Sequence, residues 1–143
     1  MSQQKELLTL DLSTTETGYC IGADKPVVWG VIKPKSSLDL EARNSYIAQE
    51  VSAMACDDIV AEALHYARGM KTVRALFMLH GAVQQTLMPK RITWMHQASV
   101  YKVLGLGKQD KNKGLAYVNK MGYKTRNLNE SDAILMWLAC RKV

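Results

Sequence analysis

The sequence predicts an α/β fold in which helices flank a five-stranded mixed sheet whose first three strands are antiparallel. Three strand-like segments follow one another near the N-terminus with only short turns between them, which is typical of an antiparallel meander. Two further strand patterns alternate with helix-like segments, and a helical crossover between strands favours parallel pairing. The last segment is apolar on nearly every side, so we expect it to lie deep in the fold.

The three strands of the meander are predicted at 7–13, 18–23 and 27–33. In the first strand, leucines at every second position alternate with polar residues, which places Asp11 on the face opposite the leucines. Gly18 suits the turn into the second strand, and residues 24–26 provide a short second turn. The sheet therefore presents one carboxylate, Asp11, at the end of an apolar strand.

Helix and strand patterns alternate over the rest of the chain. A helix at 37–55, with Ser37 or Asp39 as its N-cap, precedes a short buried strand at 58–62. A second helix at 73–88 is ended by Pro89. A strand at 91–95 follows, and further helices are predicted at 98–104, 111–121 and 131–140.

Length and composition limit the possible classes of protein. With 143 residues, 48% of them hydrophobic, the chain fits one domain spanning 1–143 that can bury a real core. We expect neither a membrane span nor a secretory signal, since no run of about 18 apolar residues and no charged leader followed by an apolar stretch is present. The three cysteines are far apart and lack metal-type spacing. This usage favours reduced thiols in a cytoplasmic protein without disulfides or zinc.

The positive charge is concentrated in one segment. Residues 101–126 contain seven basic residues and one acidic residue, so this segment alone carries a charge of +6, the formal net charge of the whole chain. The rest of the chain balances 12 basic against 12 acidic residues. A basic segment in an otherwise neutral domain favours a polyanion partner such as DNA. The alternative is a solvated lysine-rich face that aids solubility. The candidate DNA-binding lysines are Lys102, Lys108, Lys111, Lys113 and Lys120.

Three acidic residues stand at the ends of apolar elements, where a solvated charge would be easier to place elsewhere: Asp11, Glu62 and Asp132. Burying an unpaired carboxylate costs several kcal/mol, so converging acids need a compensating cation. Magnesium or manganese, which prefer hard oxygen ligands, would supply one. The sequence therefore predicts a divalent metal site at this end of the sheet.

Each acid taken singly also has a structural interpretation. Asp11 could hydrogen-bond the backbone of its own turn, and Glu62 could pair with Arg68 or Lys71. Asn129 followed by Asp132 resembles an N-cap arrangement at the start of the last helix. The convergence of three such residues in the right strand order favours the metal site over these alternatives.

Four segments, taken together and in order, resemble a known family. They are LDLSTT at 10–15 with TGY at 17–19, the strand that ends in Glu62, the glycine-rich basic segment GLGKQDK at 105–111, and NESDA at 129–133. In this order they resemble the RuvC Holliday junction resolvases of the RNase H-like nuclease superfamily, and the short phage-encoded members in particular. The resemblance covers nearly the whole chain.

The resemblance implies an RNase H-like fold and an endonuclease that resolves Holliday junctions and other branched DNA. It implies two Mg²⁺ ions per active site, with Mn²⁺ able to substitute, held by Asp11, Glu62 and Asp132. In the family a fourth ligand comes from the residue three before Asp132, which here is Asn129, and Glu130 is the candidate substitute. Lys111 falls on a lysine that the family uses at the active site. The implied products are paired nicks with 5′-phosphate and 3′-hydroxyl ends.

The resemblance also implies a homodimer built around the helix that follows Glu62. Here that helix is predicted at 73–88, with Phe77, His80, Gly81 and Gln84 as its contact surface, although the same stripe could be core. The family places an aromatic wedge one turn after the second acid, where this chain has His65 and Tyr66, followed by Arg68 as a further DNA contact.

Three other functions are compatible with parts of the sequence. A non-catalytic DNA-binding module would use the basic segment alone, and another RNase H-like nuclease would act on RNA–DNA hybrids. An ATP-binding protein of the actin and sugar-kinase type would also place an acid and hydroxyl residues before a hairpin, but such proteins need two domains to enclose the nucleotide, and 143 residues do not supply them.

Overall fold

The computed structural model describes residues 5–54, 56–64 and 69–142, and all structural statements below refer to these residues. The strands are β1 (Leu7–Asp11), β2 (Thr17–Gly22), β3 (Pro26–Ile32), β4 (Asp58–Glu62) and β5 (Ile92–Met95). The helices are α1 (Leu40–Ala53), α2 (Met70–Leu87), α3 (Gln97–Val103), α4 (Lys111–Lys120) and α5 (Leu128–Arg141). Every predicted element is present, in the predicted order.

The five strands form one mixed sheet in the order β3-β2-β1-β4-β5. The first three strands are antiparallel to one another, whereas β1 pairs with β4 and β4 with β5 in parallel. This topology confirms the predicted fold class. Leu10 of β1 is the register partner of Ala61 of β4. The next residues along these strands, Asp11 and Glu62, therefore leave the sheet side by side at the same edge.

A hydrophobic core lies on each face of the sheet. On one face, α5 contributes side chains that are almost wholly buried, and α3 and α4 pack against it. On the other face, Leu8 and Leu10 of β1 pack beneath α1 and α2. Thr9 instead faces α5 and donates a hydrogen bond from Oγ1 to the carbonyl oxygen of Ala133 at 2.6 Å. Asp11 shares the Thr9 face, as predicted from the alternation.

The helix boundaries differ from the predicted ones mainly at the N-termini. Asp39 caps α1 by accepting a hydrogen bond from the Ala42 amide at 2.9 Å, so this helix begins at Leu40. The last helix begins three residues earlier than predicted, because Asn127 is its N-cap and accepts from the Glu130 amide at 2.9 Å. The interpretation of Asn129 as N-cap is therefore wrong, and Asp132 lies a full turn inside the helix.

The three cysteines lie at different depths in the fold. Cys20, Cys56 and Cys140 are free thiols. Burial, with the nearby Glu6 charge, raises the pKa of Cys56 to about 11, so that thiol stays protonated and unreactive at neutral pH. Within the described part of the chain, none of the helices is both long and apolar enough to cross a bilayer.

Candidate active site

Asp11 and Glu62 meet at the carboxyl edge of β1 and β4. Asp11 is only 7% exposed, and its carboxyl group shares a hydrogen bond with Glu62. Burial raises the pKa of Asp11 well above its ordinary value, and the hydrogen bond to Glu62 and the charges of Glu62 and Asp132 raise it further. Without a cation, the pair therefore tends to retain a proton. The turn after β1 is closed by a separate hydrogen bond, in which Thr17 Oγ1 donates to the Ser13 carbonyl at 2.9 Å.

Asp132 approaches the same edge from α5 and is held by two side chains. It is 2% exposed, the Lys111 ammonium group contacts its Oδ2, and Gln97 Nε2 donates to its Oδ1 at 3.4 Å. Burial raises the pKa of Asp132 even though Lys111 opposes the shift. Burial also opposes the charged form of Lys111, but the hydrogen bond and charge of Asp132, with the charges of Asp11 and Glu62, raise its pKa. Because the two groups are in direct contact, we conclude that they form an ion pair.

A close backbone approach carries α5 to the sheet. A Cβ added at Gly18 would lie 2.1 Å from the backbone oxygen of Asn129, so only glycine allows β2 and the start of α5 to meet. The Thr9 hydrogen bond to Ala133 fixes the next turn of α5 against β1. These two contacts place Asp132 beside the end of β1.

Lys111 is positioned by the glycine-rich segment that precedes α4. Gly105 and Gly107 have φ angles of 71° and 74°, in the left-handed region that glycine adopts without strain. The Tyr101 hydroxyl group donates to the Asp110 carbonyl at 2.8 Å, and Asp110 caps α4 by accepting from the Asn112 amide at 2.9 Å. The first residue of the capped helix, Lys111, therefore faces the acidic centre.

Asn129 and Glu130 lie on different sides of the α5 N-terminus. Asn129 lines a cleft of about 920 Å³ together with Asp11, Glu62 and Lys111. Glu130 is 5% exposed. Its carboxylate accepts a hydrogen bond from the Arg126 amide at 2.7 Å, and this bond helps to cap the N-terminus of the helix. The structure thus favours Asn129 over Glu130 as the residue that faces the cleft, and the role of Glu130 as a ligand stays a prediction.

The donor atoms of the site suit a divalent cation, but they are not arranged as a finished metal site. Asp11 and Glu62 offer hard oxygens, and burial together with the charges of Glu62 and Asp132 disfavours the ionised form of Asp11, which a bound cation would stabilise. Within residues 5–54, 56–64 and 69–142, no three His, Cys, Asp or Glu side chains are grouped closely enough to hold an ion. The ammonium group of Lys111 contacts Asp132 where a cation would otherwise bind. A metal site with three carboxylates therefore requires Lys111 to release Asp132.

Solved structures with the same architecture identify the fold. No family model and no curated protein matches the sequence. A structure of Thermus thermophilus RuvC in complex with a Holliday junction substrate superposes with a TM-score of 0.82 at 18% identity, covering 94% of this chain and 92% of that one. The chain has the RuvC fold. A second structure of Thermus thermophilus RuvC gives a TM-score of 0.74 at 14% identity with the same coverage. The yeast mitochondrial Holliday junction resolvase gives 0.67 at 13% identity, over 99% of this chain and 80% of that one.

Basic residues from three helices, α1, α2 and α4, line the cleft of this RuvC fold. All five lysines predicted to bind DNA, Lys102, Lys108, Lys111, Lys113 and Lys120, are exposed. The cleft wall adds Arg43 from α1 and Lys71 and Arg74 from α2. Arg43 and Arg74 were missed from sequence, because their helices were read only as core and dimer elements, and Lys71 was considered only as an ion-pair partner of Glu62. His65, Tyr66 and Arg68 lie outside the described residues, so their predicted DNA contacts stay predictions.

Gln97 and Glu16 also belong to the site and were not predicted. Gln97 follows β5, which runs parallel to β4, so the residues just after β5 reach the same edge as Glu62. That topological rule was the available signal for Gln97. Its Oε1 atom is buried without a hydrogen-bond partner among the described residues. Glu16 lies in the turn after β1, and its Oε1 atom accepts a hydrogen bond from Nδ2 of the cleft residue Asn129 at 3.4 Å.

The predicted contact surface of α2 is only partly exposed in this RuvC fold. Phe77 is 61% exposed, and Gly81 and Gln84 are exposed with it. His80 is instead half-buried and stacks on Trp94, with ring centroids 4.8 Å apart and an interplanar angle of 14°. Burial lowers the pKa of His80 despite the nearby Glu62 charge, so its ring is neutral at pH 7. His80 therefore contributes to packing within the monomer, and Phe77 to the free surface.

Proposed function

We propose that this protein is a structure-selective DNA endonuclease that resolves Holliday junctions and other branched DNA by metal-dependent phosphodiester hydrolysis. The observation that carries the proposal is the convergence of Asp11, Glu62 and Asp132, with Lys111, at one edge of a RuvC fold. Support comes from two structural neighbours, a RuvC bound to a Holliday junction substrate and a mitochondrial Holliday junction resolvase.

The side chains have distinct roles in this proposal. Asp11, Glu62 and Asp132 bind two Mg²⁺ or Mn²⁺ ions, and Asn129 adds a neutral oxygen. When bound, such ions supply an activated water and stabilise the departing 3′ oxygen. With a cation bound at Asp132, the Lys111 ammonium group would be free to offset negative charge on the scissile phosphate. The products carry 5′-phosphate and 3′-hydroxyl ends.

The charged wall of the cleft supports DNA binding through phosphates. Exposed lysines from 102–120 lie on the α5 side of the sheet, and Arg43, Lys71 and Arg74 line the cleft from α1 and α2. Cations on both sides of the acidic centre suit a duplex whose phosphates pass over it. Such contacts position the backbone without reading sequence.

A symmetric dimer fits a substrate with approximate two-fold symmetry. Two active sites related by a two-fold axis would place paired nicks on opposing strands. The α2 surface that we propose as the interface exposes two large apolar side chains: Phe77 is 61% exposed, and Met70 at the start of the helix is 84% exposed. An isologous contact between two copies of α2 would cover these side chains.

A panel of labelled substrates tests the proposal. The full chain is incubated with a four-way junction, a three-way junction, linear duplex DNA and an RNA–DNA hybrid, with and without Mg²⁺. We expect paired, symmetric nicks in the four-way junction only with Mg²⁺, slower cutting of the three-way junction, and linear duplex left intact.

Other outcomes of the same panel contradict the proposal in different ways. Junction retention in Mg²⁺ without nicking identifies a DNA-binding module, and preferential cutting of the hybrid identifies a different nuclease. Glu62→Gln is the matched inactive variant, because it keeps the size of the side chain and one acceptor oxygen. Cutting by Glu62→Gln at the wild-type rate rules out the proposed site.

A further inference from the structure

Glu16 connects the β1–β2 turn to the start of α5. Its Oε1 atom accepts a hydrogen bond from Nδ2 of Asn127 at 2.6 Å and a longer one from Nδ2 of Asn129 at 3.4 Å. Asn127 is the N-cap of α5, whereas Asn129 lines the cleft with Asp11 and Glu62. One carboxylate thus contacts both the helix cap and the rim of the acidic centre.

The chemistry of this contact fixes which end of the Asn129 amide faces the cleft. An ionised carboxylate accepts hydrogen bonds and donates none, so Glu16 selects the NH₂ end of the amide. With Nδ2 bound to Glu16, the amide oxygen, Oδ1, is the end of the side chain left to bind a cation in the cleft that Asn129 lines. The backbone of Asn129 is fixed by the same turn, since a Cβ at Gly18 would lie 2.1 Å from its carbonyl oxygen. Residues 16–18 therefore fix both the position of the Asn129 backbone and the orientation of its side-chain amide.

We infer that Glu16 is a positioning residue, which holds Asn129 so that Oδ1 is the fourth oxygen ligand of the acidic centre. This inference rests on the proposed metal-dependent function. An amide oxygen is a hard neutral donor of the kind that Mg²⁺ and Mn²⁺ accept. It completes the ligand set without adding a fourth negative charge to a site where Asp11, Glu62 and Asp132 already lie close together. The carboxylate of Glu16 orients this donor and stays outside the ligand set.

A double-mutant cycle on metal affinity tests the inference without DNA. Binding of Mn²⁺ alone to the full chain is measured by calorimetry for wild type, Glu16→Ala, Asn129→Ala and the double variant. Each single substitution is expected to weaken Mn²⁺ binding by about 10-fold, the lower range for loss of a ligand or its orienting partner. If Glu16 acts only through Asn129, the double variant binds no more weakly than Asn129→Ala.

Two further variants separate orientation from charge and from helix capping. Glu16→Gln keeps the shape of the side chain but adds an NH₂ group that can donate to Asn129 Oδ1, so the orientation of the Asn129 amide is no longer fixed and Mn²⁺ binding is expected to weaken, by less than in Glu16→Ala. Asn127→Ala removes the N-cap that Glu16 also contacts, and it is expected to lower the melting temperature while weakening Mn²⁺ binding less than Glu16→Ala does.

Several results would overturn the inference. These are wild-type affinity in Glu16→Ala, losses that add in the double variant, equal losses in Glu16→Gln and Glu16→Ala, and absence of Mn²⁺ binding by the wild type. The outcome is separable from that of the junction assay, since affinity is measured on the protein alone. If Glu16 and Asn129 are coupled in Mn²⁺ binding but the protein does not cut junctions, the proposed function is contradicted. If the protein cuts junctions but the two residues are not coupled, only the role of Glu16 is contradicted.

Discussion

Replacing Asp11 by Asn should make the metal-free protein more stable while abolishing its activity. Asp11 is 7% exposed and hydrogen-bonded to Glu62, so at neutral pH the folded chain must either hold two carboxylates together or take up a proton. An amide at this position still donates a hydrogen bond to Glu62 and brings no second charge. The substitution therefore removes a repulsion that only a bound cation relieves in the wild type.

The size of the effect follows from the burial of the pair. Replacing buried charged groups by neutral ones of similar shape stabilises proteins by about 1–4 kcal/mol. We take the lower part of that range, about 1–2 kcal/mol, because Glu62 is half-buried and Lys111 already offsets part of the charge. For a chain of this size the gain corresponds to a rise of about 3–8 °C in the melting temperature.

The sign of the pH dependence follows from the direction of the pKa shift. The pKa of Asp11 in the folded state is raised above its ordinary value of 3.8. At a pH between the ordinary pKa and the raised one, the folded state therefore binds a proton that the unfolded state has lost. The resulting stabilisation of the wild type is fully present below about 3.8 and is lost as the pH rises through the raised pKa. The advantage of Asp11→Asn should therefore be small at pH 4 and grow toward neutral pH.

Thermal unfolding of wild type and Asp11→Asn, from pH 4 to 8 with and without Mg²⁺, measures this effect. Mg²⁺ should raise the melting temperature of the wild type and leave that of Asp11→Asn nearly unchanged, because the variant lacks a ligand. Asp57→Asn removes an exposed carboxylate just before β4 and serves as the control for general loss of charge. An Asp11→Asn protein that is less stable than wild type at pH 7 without Mg²⁺, or that cuts junctions, would refute the reasoning.

Three further predictions concern DNA binding, packing and assembly. Alanine in place of the exposed lysines should weaken junction binding equally for all sequences. It should also lower the slope of log binding constant against log salt concentration by about 1 for each phosphate that is no longer neutralised. An unchanged slope after removing Lys108, Lys113 and Lys120 would contradict the basic-segment assignment. Gly18→Ala should destabilise the fold by about 3 kcal/mol in urea unfolding, because the added methyl group overlaps the Asn129 backbone, and wild-type stability would show that the approach is looser than described. Phe77→Lys should weaken self-association at least 10-fold in sedimentation velocity, whereas unchanged association would place the interface elsewhere.

The fold was predictable from sequence because its patterns are local. Alternating leucines in β1 predicted the face of Asp11, and the apolar character of α5 predicted its depth, since both depend only on periodicity. The start of α5 was misplaced because two asparagines, Asn127 and Asn129, both resemble caps. Only the hydrogen bond of Asn127 to the Glu130 amide distinguishes them.

The acids of the candidate site were predictable, and the resemblance also pointed to Lys111, but the other residues around them were not. Asp11 and Glu62 end strands that pair in parallel, so topology alone brings them together. Gln97, Glu16 and the cleft cations come from other elements, and their positions depend on how helices pack on the sheet. The Asp132–Lys111 ion pair joins residues 21 positions apart through the packing of α4 on α5, which no sequence pattern records.

Anomalous diffraction from crystals of the wild-type protein grown in Mn²⁺ tests the central claim most directly, because it locates the ions independently of activity. The account predicts Mn²⁺ peaks bound by oxygens of Asp11, Glu62 and Asp132, with the Lys111 ammonium group displaced from Asp132 and Asn129 Oδ1 turned toward the ions. Crystals at saturating Mn²⁺ that show Lys111 still bound to Asp132 and no peak between Asp11 and Glu62 would contradict it.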